Sequence, residues 1–186
     1  NELADKKSQL ESGKTELNSK KDATTKQLAE AETKLLTAKA DAEAAKTHLQ
    51  LEIQTAEATV KGLDSGIEQA RAGVQAIEQA ITAVNGIEET LAGLAGTSDT
   101  QTYVVLDENT KAAVKAWYES AGYEVKEDTL VWEIKGTLSA IKNDILVKAG
   151  ASDVNGLEAK KAELQSKIAD LESQKAMAAA PIDQYK

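Results

Sequence analysis

From Leu10 onward, apolar and small residues step along the chain by alternating intervals of four and three. The series runs Leu10, Lys14, Leu17, Lys21, Thr24, Leu28, Ala31, Leu35, Ala38, Ala42, Ala45 and Leu49. This is a heptad seam filled mainly by Leu and Ala, with lysines at 14 and 21. After Leu49 the phase slips to Ile53 and continues through Ala56, Val60, Leu63, Ile67, Ala70, Val74, Ile77, Ile81 and Val84. A stutter of this kind locally unwinds a supercoil without breaking the helix. The pattern therefore predicts one outgoing coiled-coil helix within residues 1–97; at 1.5 Å rise per residue it would be on the order of 140 Å long. Gly13, inside "LESGKTELNSKK", would cost about 1 kcal/mol relative to Ala, and a seam position where two backbones approach accounts for it. A competing reading breaks the helix near 62–66, with Gly62 as a C-cap and a Ser65/Glu68 capping box, and "VNGIEET" (84–90) offers a similar break. The apolar stepping crosses both without losing phase.

The pattern changes at "GLAGTSDTQT" (93–102), and residues 98–150 are expected to form a small α/β head in β-α-β-β-α order. "TYVVL" (102–106) suggests a strand. "DENTKAAVKAWYESAG" suggests a helix, with Asp107 as N-cap and Gly122 as C-cap. "YEVKEDTLVWEIKG" alternates Leu130, Trp132 and Ile134 onto one face, as a hairpin turning at Glu127-Asp128 would. "TLSAIKNDILVKAG" closes the head as a helix ending at Gly150. In 151–186 a capping box from Asn155 to Glu158 opens a returning helix, with Val154, Leu157, Lys161, Leu164, Ile168, Leu171, Lys175 and Ala178 in heptad spacing. The predicted fold is thus mostly α: a long antiparallel coiled-coil hairpin, or stalk, bearing a small α/β head. The compact head requires the return arm to lie against the Ile/Val-rich stretch 60–84, leaving the alanine-rich seam around 31–45 open to a protein partner, a second copy or flanking sequence. The heptad pattern begins at Asn1-Glu2-Leu3 and still includes Ile182 and Tyr185, as expected of a piece of a longer protein.

Composition supports long helices: 41% of residues are hydrophobic but only 3% aromatic, with one Pro and no Cys. The net charge of −9 is uneven. Residues 1–49 carry nine lysines and nine acids, whereas 50–97 carry only Lys61 and Arg71 against seven acids. Nucleic acid is excluded as a partner, because phosphate binding needs a basic face. The absence of Cys excludes disulfides and thiolate metal sites. No apolar run approaches the roughly 18 residues of a membrane span.

Candidate chemistry is sparse. His48 is the sole histidine, so a zinc site would need carboxylate ligands from elsewhere. Glu88-Glu89 and Glu127-Asp128 lie at helix ends and a turn with no nucleophile beside them. "SDVNGLE" (152–158) lacks the acidic spacing of a calcium loop and reads as a helix cap. No catalytic residue, cofactor site or metal site is expected. Trp117, Tyr118 and Trp132 have two readings, as most of the head's core or as a contact patch on its surface.

"LESGKTELNSKK", its looser echo "LDSGIEQARAGVQAIEQA" (63–80) and "LEAKKAELQSKIADLESQKA" on the return arm resemble the extracytoplasmic coiled-coil insertions of Firmicutes and Actinobacteria membrane proteins. These include FtsX-like ABC-transporter permeases and phage-infection-protein relatives, where units like L-x-x-G-K-x-x-L recur between two transmembrane segments. The resemblance spans both helical arms and not the head. It implies a non-catalytic stalk on the extracellular face of the cell membrane, in a membrane-anchored parent protein. Such a stalk would engage a partner or substrate and pass on conformational change driven by a separate ATPase. A structural coiled-coil spacer, from a virion or cytoskeleton, is the alternative.

Overall fold

A computed structural model of the chain describes residues 2–184, so Asn1 and the heptad position expected at Tyr185 lie outside the described residues. It contains four α-helices: α1 (Glu2–Gly93), α2 (Glu108–Ser120), α3 (Val131–Lys148) and α4 (Val154–Gln184). α1 runs without interruption through Gly62–Gly66 and through Asn85-Gly86, so neither alternative break occurs. The apolar phase that crosses both sites outweighs their local capping signals. The chain divides into two units at Glu57 and Pro181.

In the unit formed by 58–180, α4 lies antiparallel to α1. Three ion pairs fix the direction: Lys161 to Glu78 at 3.0 Å, Glu172 to Arg71 at 2.8 Å and Lys175 to Asp64 at 2.6 Å. Between them leucines of α4 cover small residues of α1. A Cβ added at Gly73 would stand 3.1 Å from Leu164 Cδ1, and one at Gly66 would stand 3.5 Å from Leu171 Cδ1. Ala80 continues the series, packing in the cluster that holds Leu157. The close approach expected at Gly13 occurs here instead, because nothing lies within 4 Å of a Cβ added at Gly13. Exposed ion pairs of this kind add little stability; their effect is to select one register of a repeating seam.

The core of this unit forms where α1 ends. Ile87 and Leu94 pack with Leu106, Val114 and Tyr118 and with Val131, Ile134, Leu138 and Ile141 of α3. A second cluster joins Ile77 and Val84 to Leu146 and Leu157. The expected β-α-β-β-α head does not form: among the described residues there is no strand, and the antiparallel bridge between Thr102 and Leu130 is isolated. "TYVVL" becomes a 3-10 turn, Tyr103–Val105, with Val104 and Val105 exposed. The expected hairpin gives way to a loop and the first turns of α3. Val131, Ile134, Leu138 and Ile141 supply a helical stripe that buries more apolar surface than the alternating face of Leu130, Trp132 and Ile134. Gly136, which suggested the end of the hairpin, sits on the exposed side of α3, where its propensity penalty is outweighed by packing.

Caps explain the helix limits. Asp107 Oδ1 accepts from the backbone N–H groups of Asn109 and Thr110 at 3.0 Å each, and Oδ2 accepts from the Thr110 hydroxyl at 2.6 Å. Gly122 and Gly150 follow the ends of α2 and α3 with φ of +78° and +67°, a left-handed conformation that glycine adopts without strain. At the start of α3 the carbonyls of Gln101 and Asp99 accept from the N–H groups of Val131 and Trp132, at 2.8 and 3.3 Å. The pairing anticipated as a sheet thus satisfies a helix terminus. α4 is capped two residues earlier than expected, by Asp153, whose Oδ1 accepts from Gly156 N at 2.7 Å.

Two outcomes follow for denaturation experiments. Leu157→Ala, at a side chain with no exposed area, should destabilise the fold by about 2–5 kcal/mol, whereas Leu36→Ala, at an exposed position, should stay within about 0.5 kcal/mol. Equal effects would contradict the α1–α4 packing. The hydrogen bonds from Thr110 and Asn109 hold the Asp107 carboxyl below its ordinary value of 3.8. A depressed carboxyl stabilises the folded state above its unfolded pKa, and that contribution disappears as pH falls through the folded pKa. The gap in thermal midpoint between the parent chain and Asp107→Ala should therefore be constant above about pH 5 and narrow at lower pH, leaving the part due to the neutral cap.

Candidate functional site

Of the three aromatics expected to act together, Tyr118 and Trp132 border one groove, and Trp117 lies elsewhere, against α1. Tyr118 is a core residue, its ring meeting the edge of Tyr123 at 6.3 Å and 71°. Burial pushes its phenol pKa up, opposed by a hydrogen bond with Thr137 and reinforced by the nearby Glu133 charge. Trp117 is half-buried, and its indole lies against Gly86 of α1, where an added Cβ would fall 2.7 Å from Cζ2. Its Nε1 donates to Thr90 Oγ1 at 3.1 Å, and that hydroxyl donates to the Gly86 carbonyl at 2.8 Å. Trp132 is 55% exposed, which rules out the core reading for this residue and leaves the surface one. A strand would have pointed it inward with Leu130 and Ile134; the helix that forms instead turns Val131 and Ile134 inward and leaves Trp132 outside.

Trp132 and Tyr118 line a groove of about 590 Å³ together with Tyr123, Glu124, Thr129, Glu133, Gly136, Thr137 and Ala140. Gly136 is part of this lining, and nothing lies within 4 Å of a Cβ added there. The Glu133 carboxylate accepts from the N–H of Leu130 at 3.2 Å. The lining includes no basic side chain, so the groove offers aromatic faces and carboxylate acceptors. Tyr123 and Glu124 were not expected at the patch. Their only sequence signal is their position just after Gly122, where the chain reverses beside the end of α2.

The second surface lies on the first unit. Every residue from 2 to 48 is exposed, and the heptad leucines Leu3, Leu10, Leu17, Leu28 and Leu35 show 60–82% of their area. This surface includes the alanine-rich stretch 31–45 that was expected to stay open. Its polar flanks carry the helical pairs Lys20–Glu16 at 2.7 Å and Lys6–Glu2 at 2.8 Å. His48 is exposed and stands 3.4 Å from Glu52. Among the described residues no three His, Cys, Asp or Glu side chains gather as a metal site would require. Glu88 pairs with Lys142 at 3.4 Å, and Glu127 and Asp128 lie exposed in the loop before α3.

Among the described residues no helix is long and apolar enough to cross a membrane. No protein-family model, curated protein or solved structure matches the chain.

The division of the aromatics has a direct consequence. Trp132→Ala should cost under about 1 kcal/mol, because little burial is lost. In that background Gly86→Ala should destabilise and shift the emission of the remaining Trp117, because the new methyl occupies the place of the indole ring. A large loss from Trp132→Ala, or an unchanged Trp117 spectrum after Gly86→Ala, would contradict this arrangement.

Proposed function

We propose that the chain is a non-catalytic interaction module: the stalk and head of an extracytoplasmic region of an FtsX-like permease or a phage-infection-protein relative. It engages a protein through its open heptad face and passes conformational change along its helices. The observation that carries this reading is the row of exposed leucines at heptad intervals on a helix that continues into a packed helical unit. Apolar residues repeated in that way stabilise a helix only when a second helix covers them. The resemblance of "LESGKTELNSKK" and its echoes to extracytoplasmic insertions supplies the cellular setting. The same open face also supports the structural-spacer reading, which needs no membrane.

The chain has no cysteine of its own, so Ser120→Cys, at an exposed position ending α2, adds one probe in the protein expressed in its natural sequence context, with the unsubstituted protein as the labelling control. A membrane-impermeant maleimide should label it in intact cells. Labelling only after lysis would overturn the extracytoplasmic assignment and leave the spacer.

A further inference from the structure

Resting on the reading of residues 2–57 as an interaction segment, we infer that its occupant is a second copy of the same segment, paired antiparallel with Leu17 opposite Ala42 of the second copy. Heptads alone allow either chain direction, and the residues at the seam choose between them.

In a parallel, in-register pair each seam position faces itself. Lys14 would meet Lys14 of the second copy and Lys21 would meet Lys21, placing like charges in what should be the buried seam. Across its flank Lys6 would face Glu11 and Asp41 would face Lys46 favourably, but Lys34 and Lys39 would repel. Reversing one helix removes the like-charge contacts in the seam and on the flank. With Leu10 opposite Leu49, Lys14 faces Ala45 and Lys21 faces Ala38, so each lysine lays its aliphatic stem over a methyl group and extends its ammonium to water. Leu17 then faces Ala42, Thr24 faces Leu35, and Leu28 faces Ala31. Every layer except the outermost sets a longer side chain against a smaller one. The two-fold axis repeats each layer, so the seam is filled on both sides along about 60 Å of helix.

The flanks agree with the seam. This register brings Glu11 beside Lys46 of the second copy and Lys20 beside Asp41, each twice by symmetry, and no like charges face one another. Residues 1–49 carry nine lysines and nine acids, so net charge does not oppose self-association in this stretch, although the whole chain is at −9. The chain also uses this packing rule within itself. On α1 and α4, antiparallel leucines Leu164 and Leu171 lie over Gly73 and Gly66 with ion pairs alongside. The proposed pairing applies the same pattern between copies.

The test uses the full chain. Sedimentation equilibrium at micromolar concentration should give a dimer. A mixture of Leu17→Cys and Ala42→Cys chains treated with a short bismaleimide should give the mixed crosslink, while either variant alone gives little. Glu11→Lys and Lys46→Glu, both at exposed positions, should each weaken the dimer by about fivefold, and the double exchange should restore it. Circular dichroism on the same samples separates lost pairing from lost helix. Links between two Leu17→Cys chains would overturn the antiparallel assignment, and failure of the double exchange to restore the dimer would overturn the register. A helical monomer would overturn self-pairing. It would not by itself overturn the extracytoplasmic reading, which the Ser120→Cys labelling decides separately.

Discussion

Residues 58–180 are organised around the end of α1, where Val84 and Ile87, and Leu94 just beyond the helix, lose all exposure to solvent. A helix emerging from an exposed stretch has no core of its own, and its last turns acquire one only because α3 crosses them and α4 returns alongside. Val131, Ile134 and Leu138 close one side, and Leu146 and Leu157 close the other. The contacts are mutual: α2 and the 3-10 turn contribute mainly Val114, Tyr118 and Leu106, which are buried only because α1 and α3 already face each other.

Polar groups around this core are arranged to leave few backbone donors unsatisfied. The loop at 99–101 lends two carbonyls to the start of α3, Asp107 closes the start of α2, and the Tyr103 hydroxyl donates to the Lys111 carbonyl at 3.0 Å. The link from Trp117 through Thr90 to Gly86 serves the same purpose within a helix–helix contact. It lets an indole N–H be covered without leaving it unpaired, a state that would cost on the order of 1–3 kcal/mol.

The arms were legible in the sequence because their signal is repetitive. Val60 to Val84 and Leu157 to Leu171 hold heptad phase over many turns, and an antiparallel return is the shortest route for the chain. The capping residues Asp107, Gly122 and Gly150 were legible for a chemical reason, since few residues accept from helix N–H groups or adopt positive φ without strain. Residues 123–136 were not legible. Their spacing of Leu130, Trp132 and Ile134 satisfies a period of two, while Val131, Ile134 and Leu138 satisfy 3.6 equally well; only the long-range partners Ile87 and Leu94 decide between them. The aromatic patch inherited that ambiguity: a change from strand to helix moves Trp132 from inside to outside and brings in Tyr123. The open leucine face needed no tertiary information, because its pattern and its exposure are both local to one helix.

The ion pairs between α1 and α4 acquire a further meaning from the periodicity of the contacts they flank. The spacing alone, leucines seven apart over small residues seven apart, does not distinguish one heptad register of α4 from the next. The charges distinguish these positions. Sliding one way carries Lys161 from Glu78 to Arg71 and Glu172 from Arg71 to Asp64; sliding the other way carries Glu172 to Glu78 and Lys175 to Arg71. Each displacement turns two attractions into two repulsions. The charges thereby specify one register for this pair of helices, a choice that the repeat of leucines over small residues does not make by itself.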